Sequence, residues 1–393
     1  MTEVKISNYK MNVFFNEKTI RFIVEANIIS KQKRLKLLRL FLNSNFNIYS
    51  VYIFQRKINK MIFKKGELKI YLPFELNLNQ EVNFRIEYVY DLQKVKKISK
   101  IKNIWMRYDS SWYPVTKCLQ NSTYELQANV PNNYRVITHG DLVNIKEHGS
   151  SKTYNWKEDN LISRFALVIG KYYVKEKIYS ELKISIYYYS DTSGINLDKY
   201  CDKAKHIIYF FNEILLKYRY KYLKIIEISD DFPCSYSNDS IILLSNMCFI
   251  SFCEDTLVHE IIHQWFGNRI IFIDDEYEIF CESVVEFFCL LYFEEIYRKK
   301  EITNFIKCLS KLEGKKYNKS IKLKNIIKKK IQYISFLLYI KEFLGNYKFK
   351  ILFRKIVAEN TNNIIHADNF MSQIREKAEI LANRTFHQKF AKK

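Results

Sequence analysis

The chain is poor in the two residues that interrupt regular structure: glycine occurs 8 times and proline 4 times in 393 residues. That scarcity excludes collagen-like repeats and the Pro/Gly-rich composition of linkers and low-complexity tracts. None of the 8 cysteines forms a C-x-x-C pair, and several lie inside apolar helical runs. This usage suits buried, reduced thiols better than a disulfide framework. The first residues, MTEVKISNYKMNVFF, lack a basic segment followed by an apolar core, so no secretory signal is visible. The longest apolar runs, such as Val284 to Phe293, are too short and too interrupted by glutamate to span a bilayer. The expectation is a cytoplasmic protein with no membrane span.

What is present argues for a folded chain. Hydrophobic residues make up 48% of it, with 30 Tyr and 29 Phe, and the length suits two or three domains. The formal charge of +22 invites a nucleic-acid or membrane-surface partner. The basic residues are spread along the chain, however, and most alternate with apolar ones. The densest block, Arg298 to Lys330 with Gly314-Lys315-Lys316 near its middle, reads as a solvated helical face and loop. No RNA- or DNA-binding signature accompanies it, so no nucleic-acid partner is expected.

From the start to residue 175 the pattern has period two. Glu67 to Phe74, Phe84 to Tyr90, Thr123 to Val130 and Tyr134 to Thr138 alternate or carry β-branched and aromatic residues. Pro131-Asn132-Asn133 and His139-Gly140-Asp141 mark turns between them. This half is expected to be an antiparallel β domain, sandwich-like or saddle-shaped. Residues 176–393 begin with a strand at Leu182 to Tyr187. The period then changes: Tyr200, Ala204, Ile207, Ile208, Phe211, Ile214 and Leu215 recur at helical spacing, with Asp198 suited to the N-terminal turn. Tyr222 to Ile228 and Ser240 to Leu244 read as strands. Helices follow, including Ile331 to Leu344 and Asn369 to Leu381. The fold class is therefore α+β in two domains.

The chemistry is concentrated between Glu254 and Phe293. His259, Glu260 and His263 form H-E-x-x-H, and Glu282 follows after eighteen intervening residues. Residues four apart share one helix face, so His259 and His263 can hold one metal ion between their imidazoles. Glu260 lies about 100° further round, where its carboxylate can reach water at the metal. Glu282 is placed to return from a second helix, about Ile279 to Arg298, as third ligand. The first helix is expected to follow Glu254 and Asp255 and to end at Gly267-Asn268. Two imidazoles and one carboxylate suit catalytic zinc, one ion per chain, with a fourth position open. Leu257, Val258, Ile261, Ile262 and Trp265 make this helix apolar nearly all round. Burying two histidines and a glutamate there without a partner would be costly. Cys281, next to Glu282, reads as a packed thiol facing away from the site.

His259 to Asn268, HEIIHQWFGN, followed by Glu282, resembles the zinc signature of the aminopeptidase N family of gluzincin metallopeptidases. Phe84 to Asp91, and Trp112-Tyr113-Pro114 through Pro131 to Gly140, resemble that family's saddle-shaped N-terminal β domain. Lys217 to Asp230 resembles the entry to its thermolysin-like catalytic domain, and Phe343-Leu344-Gly345 with Asn369 to Phe390 its closing helices. The resemblance covers nearly the whole chain. It implies zinc ligation by His259, His263 and Glu282, a general-base role for Glu260, and a peptide substrate. It says nothing of oligomeric state.

The departures bear on specificity. The family's Gly-x-Met-Glu-Asn strand, whose Glu binds the substrate's free amine, falls at Cys234 to Asn238, CSYSN. There Ser237 takes the Glu position, Asn238 is kept, and both become candidate substrate-binding residues. The family's Asn-Glu-Gly reads Cys281-Glu282-Ser283. Its catalytic tyrosine falls near Lys330, with Tyr333 one turn away as the candidate replacement. Two readings stay open: a zinc metallopeptidase, or a catalytically impaired homologue that keeps zinc and binds a peptide or protein in the cleft.

Overall fold

The computed structural model describes residues 3–94, 103–189, 195–229, 235–273, 277–298, 300–314 and 321–383. The chain divides into two compact units, Met1–Tyr173 and Val174–Lys393. Among the described residues no helix is long and apolar enough to cross a membrane.

The first unit is built on an eight-stranded sheet. Its strands run in the order Asp141–His148, Ser151–Ile162, Ser122–Pro131, Val4–Phe15, Thr19–Ser30, Glu81–Asp91, Phe46–Ile53 and Arg56–Lys57. The expected alternation is plain in Val4–Phe15 and Thr19–Ser30, where nearly every second side chain is buried. The sheet departs from a purely antiparallel plan at one place. Val4–Phe15 pairs in parallel with Ser122–Pro131, from Asn8 beside Thr123 to Phe14 beside Asn129. Ser122 Oγ donates to Ile6 O at 2.8 Å at the head of that pairing. Two three-stranded sheets complete the unit. Its aromatic core is tied by polar atoms: Tyr88 Oη donates to Trp112 O (2.8 Å), and Trp112 Nε1 donates to Phe165 O (2.9 Å).

The second unit begins with a five-stranded sheet in the order Tyr173–Tyr179, Leu182–Tyr188, Tyr222–Ile228, Ile241–Ser245, Tyr236–Asn238. Its two central pairings are parallel, and the last, which places Ser237 on the sheet edge, is antiparallel. Helix α1 (Leu197–Ile214) makes the first crossover. Asn196 caps it by accepting from Lys199 N, and it buries Tyr200, Ala204, Ile207, Ile208 and Phe211 as its spacing predicts. A short helix α2 (Asn246–Ile250) leads into α3 (Glu254–Ile262), which carries the histidines, and α4 (Tyr277–Tyr297) carries Glu282. Val284, Val285, Phe287, Phe288, Leu291 and Tyr292 are all buried, so α4 is the central helix of the unit. Helices α5 (Glu301–Gly314), α6 (Ile321–Asn360) and α7 (Ala367–Ala382) pack around it. Helix α6 breaks at Gly345, whose φ of 69° suits glycine. The basic block Arg298 to Lys330 falls on α5 and the start of α6, with Lys315 and Lys316 outside the described residues.

Both ends of helix α3 differ from expectation. Helix α3 starts at Glu254, so Glu254 and Asp255 form its first turn, and it ends at Ile262 rather than at Gly267. The chain tightens there: Gln264 N–H bonds to Ile261 O and Trp265 N–H to Ile262 O, each three residues back. Asn268 N–H then closes onto His263 O at 3.2 Å, around Gly267 with φ of 105°.

Candidate metal centre

His259, in the last turn of α3, and His263, the residue that caps its end, face the same point. His259 Nε2 and His263 Nε2 lie 3.1 Å apart. Glu282 Oε2 is 3.2 Å from His259 Nε2, and Glu282 Oε1 is 3.4 Å from His263 Nε2. The three residues' ligand atoms all lie within 4.8 Å of one another, and they form the one such group among the described residues. Zinc–nitrogen bonds of about 2.0–2.1 Å at tetrahedral angles imply donor separations of about 3.3 Å. The two imidazole nitrogens are 3.1 Å apart, close to that edge length, and the Glu282 carboxylate reaches both, one oxygen to each; two imidazoles and a carboxylate are a donor set that suits zinc.

The support behind the donors is equally specific. His263 Nδ1 lies 3.0 Å from Phe266 O, a carbonyl that can only accept, so Nδ1 carries hydrogen and Nε2 is the nitrogen turned toward Glu282. A Cβ on Gly267 would stand 3.2 Å from His263 Nδ1 and 3.3 Å from Cys281 Sγ, so the ring uses the space that glycine leaves. Cys281 is buried against this imidazole, not on the far side of α4 as expected. The turn back at Gly267 brings His263 onto the Cys281 edge of that helix.

Burial alone would push the Glu282 carboxyl up, but hydrogen bonds from His259 and His263 outweigh it and hold the group well below the usual carboxylate range. For His263, burial pulls downward, and the Cys281 thiol and Glu282 carboxylate reverse this to hold the imidazole well above its ordinary value. Glu260 is 6% exposed. Burial raises its pKa, against the pull of both imidazoles. A buried carboxylate beside three metal donors is equipped to take a proton.

Ser237 and Asn238 sit on the edge strand next to this centre, tied to it by Gln264. The Gln264 amide donates to Ser237 Oγ (2.7 Å) and Asn238 O (2.7 Å), while its Oε1 accepts from Ser240 N–H (2.6 Å). Asn268 Nδ2 also reaches Ser237 Oγ at 3.3 Å. The Ser237 hydroxyl oxygen is thus engaged by two protein amides, whereas both side-chain polar atoms of buried Asn238 lack a protein partner. Cys234 lies outside the described residues. Gln264 went unremarked in the sequence; its one signal is a polar residue at a position of α3's apolar flank.

Tyr333, on α6, packs edge-on against Phe280 with ring centres 5.0 Å apart, two residues before Glu282. Lys330, one turn earlier on α6, acts electrostatically on another residue of α4. Glu286, one turn after Glu282, is raised by burial and drawn back by the charges of His259 and Lys330. Tyr333 and Lys330 thus both bear on the helix that carries Glu282.

No protein-family model matches the sequence, and no curated protein matches it. Solved structures do. The M1 zinc metallopeptidase from Deinococcus radiodurans aligns over 98% of this chain and 95% of its own, with 11% identity and a TM-score of 0.76. A mutant of that enzyme bound to the substrate Tyr-Ser-Ala aligns over 98% and 95% of the two chains, with 10% identity and a TM-score of 0.72. A two-domain M1 zinc metallopeptidase mutant bound to L-arginine covers 97% and 94%, with 10% identity and a TM-score of 0.75. The chain therefore has the two-domain α+β fold of M1 zinc metallopeptidases, a β-sheet domain followed by a helical one.

Proposed function

We propose that this chain is a zinc-dependent, aminopeptidase N-like peptidase, with residues 1–175 as its N-terminal β domain and 176–393 as its catalytic domain. The observation that carries the reading is the triangle of His259, His263 and Glu282 donors with Glu260 buried beside it. His259, His263 and Glu282 would hold one zinc ion. When bound, zinc supplies Lewis acidity toward the peptide carbonyl and brings the pKa of water at its open position toward neutrality. Glu260 accepts the proton of the attacking water and passes it to the departing amine. Tyr333 donates to the oxygen that becomes negative as water adds. Asn238, with its unpartnered amide, binds the substrate backbone, and Ser237 shapes the same edge.

Two of the neighbouring structures hold a ligand, one the peptide Tyr-Ser-Ala and one L-arginine, and a peptide substrate is the corresponding reading for this chain. Its specificity differs from an aminopeptidase. Ser237 stands where the resemblance places the amine-binding Glu and brings no negative charge to pair with an ammonium group.

The test measures zinc per chain and screens an unbiased peptide library against wild type and Glu260→Gln. About one zinc per chain in both proteins, with cleavage by wild type alone, is the expected result. Zinc in both with cleavage in neither overturns the enzymatic reading in favour of a peptide-binding homologue.

A further inference from the structure

The turn between α2 and α3 holds two cysteines in a particular relation. Cys253 N–H donates to Cys248 O at 3.1 Å, and Phe252 N–H approaches Phe249 O at 3.4 Å, with Phe252 in the left-handed region at φ of 50°. These paired six-to-one and five-to-two bonds are a Schellman motif, which ends a helix by folding the residue two past its cap back over the last turn. Cys248 and Cys253 occupy the two positions whose side chains meet across that motif. Helix α1 braces the arrangement: Tyr200 Oη donates to Phe249 O (2.9 Å) and to Cys248 O (3.2 Å), and its ring packs edge-on against Phe252 at 4.4 Å.

We propose that Cys248 and Cys253 form an oxidation site: a thiol pair that peroxide converts into a disulfide stapling the turn that feeds α3. The backbone bond between the two residues closes the chain at this point, which is what a disulfide's short Cα separation demands. Both thiols are partly exposed, whereas Cys201, Cys281 and Cys289 are buried, so an oxidant reaches this pair. Ser251 Oγ lies 3.1 Å from Cys253 Sγ, and Thr256 Oγ1 lies 3.8 Å from Cys248 Sγ. Ser251 draws the Cys253 pKa down, but burial and the neighbouring Cys248 thiol raise it above the ordinary value. Cys253 is thus held as a thiol until an oxidant arrives.

The chemistry balances with one hydrogen peroxide. One thiol gives up its proton and its sulfur attacks a peroxide oxygen; the O–O bond breaks, and the departing hydroxide takes that proton, leaving a sulfenic acid and one water. The second sulfur attacks the sulfenic sulfur, the S–O bond breaks, and a second water leaves with the remaining proton. Two cysteines are oxidised and one peroxide is reduced to two waters. The bond lies directly ahead of the helix carrying His259 and Glu260, and its formation does not depend on whether that helix performs catalysis.

The full-length protein is treated with hydrogen peroxide, denatured, alkylated with N-ethylmaleimide and mapped by mass spectrometry. The expected product is a peptide lighter by two hydrogens, with Cys248 and Cys253 unlabelled until reduction. Cys253→Ser should abolish it, and Cys248→Ser independently should do the same. In a glutathione redox buffer the native protein should favour the bond at least about tenfold over the urea-unfolded chain, because the Schellman turn presents the sulfurs to each other. Separate alkylation of both residues after peroxide overturns the proposal. So does a bond that forms equally well in urea, or one that joins either cysteine to another partner.

Discussion

His263 Nδ1 lies 3.0 Å from the carbonyl oxygen of Phe266, three residues further along the same chain. The turn that supplies this carbonyl is local, so the orientation of one metal donor depends on a backbone path set by Gly267. Alanine at Gly267 would require a side chain at φ of 105° and place its Cβ 3.2 Å from the imidazole. Gly267→Ala should therefore rotate His263 and weaken zinc binding about 10- to 100-fold, the usual effect of losing an outer partner of a metal-bound histidine. Competition with a chromogenic chelator measures it; unchanged affinity would show that the Phe266 contact does not set the ring.

Glu260 offers a second test with opposite signs in two readouts. Its side chain is buried, and burial disfavours its charged form. Glu260→Gln keeps the shape and removes the charge. Thermal stability of the metal-free protein should hold or rise, while peptide cleavage falls by at least about a hundredfold through loss of the proton acceptor. A variant that loses stability and activity together would assign Glu260 a structural role.

The oxyanion partner is decided by a pair of substitutions on α6. Tyr333 rests against Phe280, and Lys330 bears on Glu286, so each reaches the helix of Glu282. Tyr333→Phe should lower kcat about a hundred- to a thousand-fold with KM little changed, as expected for a donor to developing charge. If Tyr333→Phe is silent and Lys330→Met carries the loss, the role belongs to Lys330.

Much of this arrangement is legible in the sequence because it depends on local spacing. The four-residue step between His259 and His263 places both on one helical face, and the apolar rhythm from Tyr200 to Ile214 describes the buried face of α1. What escaped depends on contacts between distant segments. Nothing local in Val4–Phe15 announces a parallel partner more than a hundred residues away; an extended strand with one apolar face can pair in either direction. The early end of α3 is a matter of competing hydrogen bonds after Ile262, where Gly267 is visible but the tightened turn before it is not. Cys281 came to face His263 only because that turn folds back. The expectation of buried thiols holds for Cys201, Cys281 and Cys289, whereas Cys118 and Cys308 are exposed, since helical spacing alone does not say which face a partner covers.

Gln264 joins α3 to the sheet edge, and its loss should separate substrate binding from metal binding. Its amide satisfies Ser237 Oγ, Asn238 O and Ser240 N–H in a buried setting. Gln264→Ala strands these groups, at a cost of about 1–3 kcal/mol for a buried group left unpaired. The melting temperature should fall by several degrees and KM for peptides should rise, while zinc content stays unchanged because no donor is touched. Loss of zinc in this variant would mean that the edge strand also holds the metal site together.

The sharpest question about specificity is whether the substrate needs a charged N-terminus. Ser237 Oγ already accepts from Gln264 and lies within reach of the Asn268 amide, so it presents a neutral, occupied oxygen where an ammonium group would want a carboxylate. Cleavage should therefore discriminate little between a peptide and its N-acetylated form, with kcat/KM values within about threefold, since no charged pair is lost on acetylation. Ser237→Glu tests the same point from the other direction. A carboxylate beside Gln264 and Asn268 gains two amide donors and a negative charge, and free-amine peptides should improve over acetylated ones by about tenfold or more. A wild-type enzyme that already rejects acetylated peptides would place the amine-binding anion elsewhere, with Glu286, on the same face of α4 as Glu282, the first residue to substitute.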